Sequence, residues 1–176
     1  MTNMSFSLVP HYAFREFTDI RPAFLKGLNL RFLMLDLDNT IAIYNKNEPI
    51  DSAGKWVDEI RSNGIELFFI SNSKRKNRVE DFANEFKIDF IKAANKPSPA
   101  GILRAMEIKG YRADESAFLG DQIFTDTLAA NRAGVLSIIV KPLSLKNPFL
   151  ALRFAIESPF RAACTGKMQE GDNVQY

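Results

Sequence analysis

The segment Arg31-Phe-Leu-Met-Leu-Asp-Leu-Asp-Asn-Thr40 joins a short apolar run to two acidic residues. Residues Phe32 to Leu35 are apolar without interruption and have the length of a strand that is buried on both faces of a parallel sheet. The run stops at Asp36, so Asp36 and Asp38 are predicted to lie at the carboxyl end of this strand. In an extended chain, residues two apart point the same way, which places two carboxylates close together at the rim of an apolar core.

Two carboxylates in so small a volume require a cation or a shared proton, because like charges that are partly removed from water repel each other. The available ligands are oxygen atoms, which suit Mg²⁺; this ion keeps several waters and binds one or two carboxylates together with a substrate phosphate. Taken alone, the pair Asp36 and Asp38 is equally consistent with a strand that ends in an Asp-rich turn.

Length and composition are typical of a soluble globular protein. The 176 residues fit one domain, with 46% hydrophobic and 25% charged residues. The net charge of +2 is too small to indicate nucleic-acid binding, and the single cysteine, Cys164, excludes an internal disulfide and a cysteine-based zinc site. No apolar run has the length of a membrane span, and the charged start of a signal peptide is missing, so a cytoplasmic location is expected.

Strand and helix patterns alternate from about residue 31 to residue 141. This alternation predicts an α/β fold with a five-stranded parallel sheet and helices on both faces. The predicted strands are 32–35, 65–70, 88–92, 116–119 and 136–140. The predicted helices begin near residues 51, 79, 98 and 126, and another covers 148–156.

The two ends of the chain are predicted to flank this core within a single domain, 1–176. Residues 1–28 form an aromatic-rich arm, 29–142 the core, 143–165 a C-terminal helix and 166–176 a flexible tail. The arm is expected to cover one face or edge of the sheet, and a patch that faces a membrane or a partner is the alternative. The C-terminal helix is expected to pack on the sheet beside the arm. The lone histidine, His11, is expected to be structural or on the surface.

Polar side chains follow four of the predicted strands at the point where each strand ends. They are Asp36 and Asp38, Ser71 and Asn72, Lys96, and Asp121 with Asp126. Because ligands of an open parallel sheet bind beyond the carboxyl ends of its strands, these groups are expected to meet at one edge. Carboxylates around a cation create a site for phosphate, and hydroxyl, amide and ammonium groups donate hydrogen bonds to phosphate oxygens.

These side chains occur in four short motifs. In chain order, the motifs are Asp-Leu-Asp-Asn-Thr from residue 36, Ser-Asn from residue 71, Lys-Pro from residue 96 and Gly-Asp-Gln-x-x-x-Asp from residue 120. Over residues 31–141 they resemble the signature motifs of the haloacid dehalogenase (HAD) superfamily. The runs Ser-Asn-Ser…Arg-Val and Gly-Asp-Gln-Ile-Phe-Thr-Asp…Asn-Arg-Ala-Gly resemble the YqeG-like phosphatases of HAD subclass IIIA, which are similar to the mitochondrial phosphatidylglycerophosphate phosphatase.

The resemblance implies a three-layer, Rossmann-like HAD core and a Mg²⁺-dependent phosphomonoester hydrolase. It implies that Asp36 is the nucleophile, which forms an aspartyl-phosphate, and that Asp38 is the general acid and base. It also implies that Ser71 and Asn72 hold phosphoryl oxygens, and that Lys96 neutralises charge on the nucleophile and the phosphate. The implied metal ligands are Asp36, Asp38, Asp121 and Asp126.

The spacing of the motifs leaves no room for a cap domain over the site. Residues 74–95 are accounted for by one helix and one short strand, and about ten residues follow Thr40 before the next helix. An open site favours a phosphate group presented on something large, such as phosphatidylglycerophosphate or another lipid head group at an anionic membrane. No nucleic-acid partner is expected, and the sequence is compatible with an oligomer.

Two features of the sequence leave alternatives open. The basic residues Lys74, Arg75, Lys76 and Arg78 either attract an acidic substrate or surface, or form a solvated turn. The substrate is alternatively a sugar, nucleotide or protein phosphate, and a catalytically idle HAD scaffold that acts through a protein partner has the same motifs. A receiver domain that accepts a phosphoryl group fits less well. It carries an acidic pair after its first strand and its phosphoacceptor on a middle strand, whereas here both Asp residues follow the first strand and none follows the second.

Overall fold

The structure is a computed structural model that describes residues 7–44, 46, 49–75, 77–164 and 166–167. Within these ranges seven strands form one sheet, and every strand pairing is parallel. The strands are β1 (Tyr12–Ala13), β2 (Phe32–Leu35), β3 (Glu66–Ile70), β4 (Asp89–Ile91), β5 (Ser116–Gly120), β6 (Leu136–Ile139) and β7 (Gly166–Lys167). Their order across the sheet is β4-β3-β2-β5-β6-β1-β7.

Helices cover both faces of this sheet. They are α1 (Pro22–Gly27), α2 (Asp51–Ser62), α3 (Arg78–Phe86), α4 (Ala100–Lys109), α5 (Leu128–Ala133) and α6 (Pro148–Ala162). Buried apolar side chains of α1, α2 and α3 contribute to one hydrophobic core, and buried apolar side chains of α4 and α5 contribute to the core on the opposite face. The predicted three-layer α/β fold is therefore confirmed.

The strand β2 lies between β3 and β5, near the centre of the sheet. Its side chains alternate between the two cores: Leu33 and Leu35 enter one, and Phe32 and Met34 enter the other. All four are fully buried. This double burial explains why the sequence of β2 has no polar residue, since a strand covered on both faces has no solvent side.

The sheet has two more strands than the five predicted from the sequence. Both are two residues long, and β1 lies beside β6. The arm joins the sheet through backbone hydrogen bonds from His11 N to Ser137 O (3.0 Å) and from Phe14 N to Ile139 O (2.9 Å). A two-residue strand is too short to produce a periodic pattern, which is why the sequence gives no sign of it.

The aromatic arm packs on the protein, as predicted. Phe17 and Leu25 are fully buried in the core formed with α2 and α3. The ring of Phe17 meets the ring of Trp56 edge to face at 5.2 Å, and Trp56 Nε1 donates to Ile20 O at 2.9 Å. His11 is exposed, and its Nδ1 lies 2.8 Å from Ser137 Oγ, so it is a surface residue that also makes a structural hydrogen bond.

The C-terminal helix is longer than predicted. It continues past Ile156 to Ala162 and contains Pro159 in its interior. A proline removes one helical hydrogen bond, so the pattern Ser-Pro suggested a helix end. The contact of Arg161 Nη1 with Val140 O at 2.9 Å fixes this last turn against the end of β6.

The division of the chain into arm, core, helix and tail stays a prediction. Residues 168–176 of the predicted tail lie outside the described part of the chain.

Among the described residues between β3 and β4, α3 is the one helix, so this segment contains no cap domain. No helix in the described ranges has the length and apolar character needed to cross a bilayer.

We predict that Phe17→Ala lowers the free energy of unfolding by about 3 kcal/mol or more, because it removes a fully buried ring and leaves a cavity beside Trp56. Urea denaturation monitored by circular dichroism measures the change. Phe149→Ala is the matched control: its ring is 80% exposed, so the expected change is within about 0.5 kcal/mol. Equal losses in the two variants would contradict the packing of the arm.

Candidate active site

Four charged side chains are buried together at the carboxyl edge of the sheet. They are Asp36, Lys96, Asp121 and Asp126. Asp36 directly follows β2, and its backbone N–H donates to Leu119 O at 2.8 Å, which continues the pairing with β5. The structure thus brings together charges that lie up to 90 residues apart in the sequence, as the strand-end pattern predicts.

The ammonium group of Lys96 lies at the centre of this cluster. Its Nζ is 2.6 Å from Asp36 Oδ1, 2.8 Å from Asp126 Oδ1 and 3.0 Å from Ile70 O. Burial alone would lower the pKa of Lys96, but the carboxylates of Asp126 and Asp36 outweigh burial and raise the pKa above its usual value. Lys96 therefore remains charged while it is shielded from water.

The side chain of Asn72 fixes the backbone on which Lys96 is carried. Asn72 Oδ1 accepts from Lys96 N at 2.8 Å, and Asn72 Nδ2 donates to Lys96 O at 2.9 Å. Ser71, which was predicted beside it, is buried, and its Oγ accepts from Ser73 N at 3.0 Å. Both residues lie directly after β3, as expected, and their contact with phosphate stays a prediction.

Asp126 is held by the turn that follows β5. Its Oδ2 accepts from Asp121 N at 3.2 Å and from Gln122 N at 3.0 Å. A Cβ atom at position 120 would lie 2.4 Å from Asp126 Oδ2, so only glycine allows the carboxylate to approach the strand end this closely. Gly120 is thus a requirement of the site.

Three of these carboxylates are arranged so that they can hold a cation. One oxygen from each of Asp36, Asp121 and Asp126 lies within 4.8 Å of the others, and all three residues are buried. Asp121 Oδ1 is buried and has no hydrogen-bond partner among the described residues. Three carboxylates and one ammonium leave a formal charge of −2, which a divalent cation would balance; the residues therefore fit a magnesium-type site with oxygen ligands.

The pKa values reflect the cost of burying this much negative charge. Burial raises the pKa of Asp36 to about 7, and the ammonium of Lys96 opposes the change. Burial also raises the pKa of Asp121 well above its usual value, and the nearby Asp126 and Asp36 add to the increase. A cation bound between these carboxylates would favour their charged forms.

The carboxylate of Asp38 does not join this group of three. Its Oδ1 accepts from Arg78 Nε at 2.8 Å, and the group of carboxylates that could hold a metal does not include it. The family resemblance implied that Asp38 is a metal ligand, and the extended-chain pattern predicted that it lies beside Asp36. In the structure β2 ends at Leu35 and the Asp38 carboxylate binds Arg78, so its role as a metal ligand stays a prediction.

Arg78 is a residue of the site to which sequence reasoning gave no role there, although it belongs to the Ser-Asn-Ser…Arg-Val run. The basic run was expected to attract anions or to form a solvated turn, but Arg78 is buried, and its guanidinium binds Asp38 and the carbonyls of Ile43 and Lys46. A signal for this was present. Arg78 precedes the buried Phe82 by four residues, which places it on the inner face of α3, and its guanidinium lies 5.2 Å from the Phe82 ring centre.

Two residues of α6 also support the site. Glu157 Oε1 accepts from Phe124 N at 3.1 Å, and Arg161 donates to the carbonyl of Asp121. Glu157 is buried although it is charged. These contacts hold the segment between Asp121 and Asp126 from its outer side.

Comparison with known proteins agrees with this geometry. The family model of haloacid dehalogenase-like hydrolases matches residues 12–134. The chain is 30% identical over 131 residues to the probable phosphatase YqeG of Bacillus subtilis (strain 168), a match that covers 74% of this chain and 76% of that protein. The chain therefore belongs to the haloacid dehalogenase-like hydrolase family, and it is a phosphatase of this family.

Solved structures show the same fold at lower identity. The deoxy-D-mannose-octulosonate 8-phosphate phosphatase YrbI of Haemophilus influenzae is 15% identical, with a TM-score of 0.53 over 65% of this chain and 70% of that chain. The 3-deoxy-D-manno-octulosonate 8-phosphate phosphatase of Yersinia pestis is 16% identical, with a TM-score of 0.51 over 77% of this chain and 82% of that chain. The predicted YqeG-like membership is confirmed, and the similarity to the mitochondrial enzyme stays a prediction.

We predict that Mg²⁺ raises the melting temperature of the wild-type protein and that Asp121→Asn abolishes this increase. A ligand that binds only the folded state adds about 2.7 kcal/mol at 100 times its dissociation constant. In EDTA, Asp121→Asn is expected to melt above the wild type at neutral pH, because it removes a carboxylate whose charged form is disfavoured by burial. Differential scanning fluorimetry measures both effects.

The same assay has a control and a pH dependence. Asp58→Asn, which changes an exposed carboxylate on α2, should keep the Mg²⁺ effect. In EDTA, the pKa of Asp36 is raised by folding, so its contribution to stability is complete below about pH 4 and is lost as the pH rises through about 7. A full Mg²⁺ effect in Asp121→Asn would contradict the assignment of the cation site.

Proposed function

We propose that this phosphatase is a Mg²⁺-dependent phosphomonoester hydrolase that forms an aspartyl-phosphate on Asp36. The observation that carries the proposal is the buried contact of Asp36 with Lys96, beside the further carboxylates of Asp121 and Asp126. Asp36, Asp121 and Asp126 would hold the Mg²⁺. When bound, the ion supplies positive charge that lets a phosphate dianion approach an acidic site.

The first step transfers the phosphoryl group to the protein. A carboxylate oxygen of Asp36 attacks phosphorus, and the bond between phosphorus and the alcohol oxygen breaks. Asp38 gives its proton to the leaving oxygen, and Lys96 stabilises negative charge beside the nucleophile. The Ser71 hydroxyl, whose oxygen already accepts from Ser73 N, has its proton available for a phosphoryl oxygen.

The second step releases phosphate. Asp38, now a carboxylate, takes a proton from a water that attacks phosphorus, and the bond to Asp36 breaks. The products are inorganic phosphate and the starting carboxylate of Asp36, and Asp38 is again protonated. Asn72 contributes to both steps by holding the backbone of Lys96, and the second N–H of its side-chain amide would donate to a phosphoryl oxygen.

The proposed substrate is a phosphate group carried by a large molecule, such as a lipid head group like that of phosphatidylglycerophosphate. The support is the absence of a cap domain between β3 and β4 in the described residues, since a cap encloses small substrates. A panel of lipid, sugar, nucleotide and protein phosphates, ranked by kcat/KM, compares this class with its alternatives. A higher kcat/KM for a small sugar phosphate than for every lipid phosphate would contradict the proposed class.

We predict that Asp36→Asn lowers phosphate release from p-nitrophenyl phosphate by about 10³-fold or more, because it removes the nucleophile. Asp58→Asn, an exposed change of the same type, should retain the wild-type rate.

With p-nitrophenyl phosphate the leaving group needs no proton, so Asp38→Asn should accumulate phosphorylated protein that hydroxylamine cleaves. Wild-type activity in Asp36→Asn, or a phosphoryl group found on another residue, would overturn the mechanism.

We predict that Arg78→Lys lowers kcat by about 10- to 100-fold, because lysine keeps the charge but cannot hold Asp38 and the two carbonyls together. A positioning residue acts through its partner, so the effects of Arg78→Lys and Asp38→Asn should be strongly non-additive. Steady-state kinetics of both single variants and the double variant measure this coupling. Arg104→Lys, at an exposed arginine of α4, is the control; additive losses for Arg78→Lys and Asp38→Asn would contradict the positioning role.

A further inference from the structure

Helix α6 exposes a row of large apolar side chains. Phe149, Leu152 and Ile156 are 80%, 61% and 54% exposed, and Leu145, just before the helix, is 40% exposed. We call these four residues the apolar face. Within α6 they follow the spacing i, i+3, i+7, so they lie along one side of the helix. Scattered apolar residues on a surface are ordinary, but a contiguous row of this kind marks an interaction site.

The orientation of this face is fixed by the other side of the helix. Glu157 and Arg161 point inward, where they bind Phe124 N and the carbonyl of Asp121. The inward-facing Phe154 lies against the Arg161 guanidinium, at 4.8 Å from its ring centre. Because polar contacts secure the inner side, the apolar face stays directed away from the sheet.

Within residues 141–164, the segment that carries the apolar face, the exposed charged side chains are all positive. Between residues 141 and 164 the exposed charged residues are Lys141, Lys146 and Arg153. The single acidic residue of this range, Glu157, is 1% exposed. The whole chain is nearly balanced, with 23 basic and 21 acidic residues, so this region differs from the rest of the surface.

The apolar face begins at the same edge of the sheet as the candidate active site. Leu143 N donates to Asn39 O at 2.9 Å, which ties the segment before α6 to the loop after Asp36. Within α6, Arg153 donates to Gln122, and Gln122 N donates to Asp126 Oδ2 at 3.0 Å. A surface that contacts α6 would therefore lie beside the acidic cluster.

We propose that α6 and residues 141–147 dock the protein on an anionic lipid bilayer. Phe149, Leu152 and Ile156 enter the boundary between head groups and acyl chains, and the three exposed cations bind lipid phosphates. This inference deepens the proposed function, since it names the surface on which a phosphorylated head group reaches Asp36. The docking itself does not require turnover.

The charges favour a bilayer over a second copy of this chain. A symmetric dimer through the apolar face would bring Lys141, Lys146 and Arg153 of each copy towards the same residues of the other. No exposed acidic residue between 141 and 164 is available to pair with them. An anionic lipid surface satisfies the apolar face and the cations together.

The proposal is tested with full-length protein and sedimenting vesicles of phosphatidylcholine, with and without phosphatidylglycerol. We expect binding to the phosphatidylglycerol vesicles that weakens with salt, and weaker binding to phosphatidylcholine alone. The triple variant Phe149→Ser, Leu152→Gln and Ile156→Gln should have an affinity for the phosphatidylglycerol vesicles that is lower by about tenfold or more. Leu103→Gln with Ile108→Gln, at the exposed apolar positions of α4, is the matched control and should bind like the wild type.

A second pair of variants tests the cations. Lys141→Gln with Lys146→Gln should weaken binding to phosphatidylglycerol vesicles by about fivefold for each lysine. Lys55→Gln with Lys87→Gln, two exposed lysines outside this region, should leave it unchanged. All substituted side chains are exposed, so each variant should keep the fold. Thermal unfolding of each variant checks this.

Three outcomes would overturn the docking proposal. They are no binding to either kind of vesicle, equal binding by the triple variant and the wild type, and a wild-type dimer that the triple variant dissociates while vesicle binding is absent. Repeating the vesicle assay with Asp36→Asn separates docking from turnover. If the wild-type protein binds vesicles but does not hydrolyse p-nitrophenyl phosphate, the docking proposal is supported and the proposed function is contradicted. If it hydrolyses p-nitrophenyl phosphate but does not bind vesicles, the proposed function is supported and the docking proposal is contradicted.

Discussion

The buried ammonium of Lys96 is the group on which the arrangement of the site depends. It touches Asp36 and Asp126 and lies 4.9 Å from the centre of the Phe118 ring, out of contact with water. Removing a charge from water costs several kcal/mol per ion, and the attraction between partners repays this cost only when the geometry is good. The backbone of Lys96 must therefore be held firmly, and the two hydrogen bonds to Asn72 hold it.

The sheet makes this concentration of charge tolerable. Its central strands are covered on both faces by separate hydrophobic cores, so the ends of β2 and β5 cannot drift apart to relieve repulsion. Gly120 then lets Asp126 approach the end of β5 more closely than any other residue would allow. Apolar burial thus supplies the stability, and the excess negative charge at the rim remains to be balanced by a cation.

The sequence was sufficient to predict the features that leave a repeating pattern, such as the alternating strands and helices, and those marked by an abrupt change from apolar to polar residues, such as the strand ends. The alternation of strand and helix patterns predicted the five strands β2 to β6, and the polar residues after them predicted the edge at which Asp36, Lys96 and Asp121 meet. Features that depend on one tertiary contact were missed. Arg78 was grouped with its basic neighbours, and its contact with Asp38, on a different element, could not be read from the sequence.

The two sides of α6 show why burial cannot be inferred from composition alone. The helix is rich in apolar residues, and the sequence predicted that it packs on the sheet. In the structure the charged Glu157 is buried, because it accepts from Phe124 N, whereas Phe149 is 80% exposed. The inward side is thus selected by polar contacts to the segment that carries Asp121 and Asp126. Since α6 cannot turn without breaking those contacts, the position of the acidic cluster and the exposure of the apolar face are fixed by the same helix.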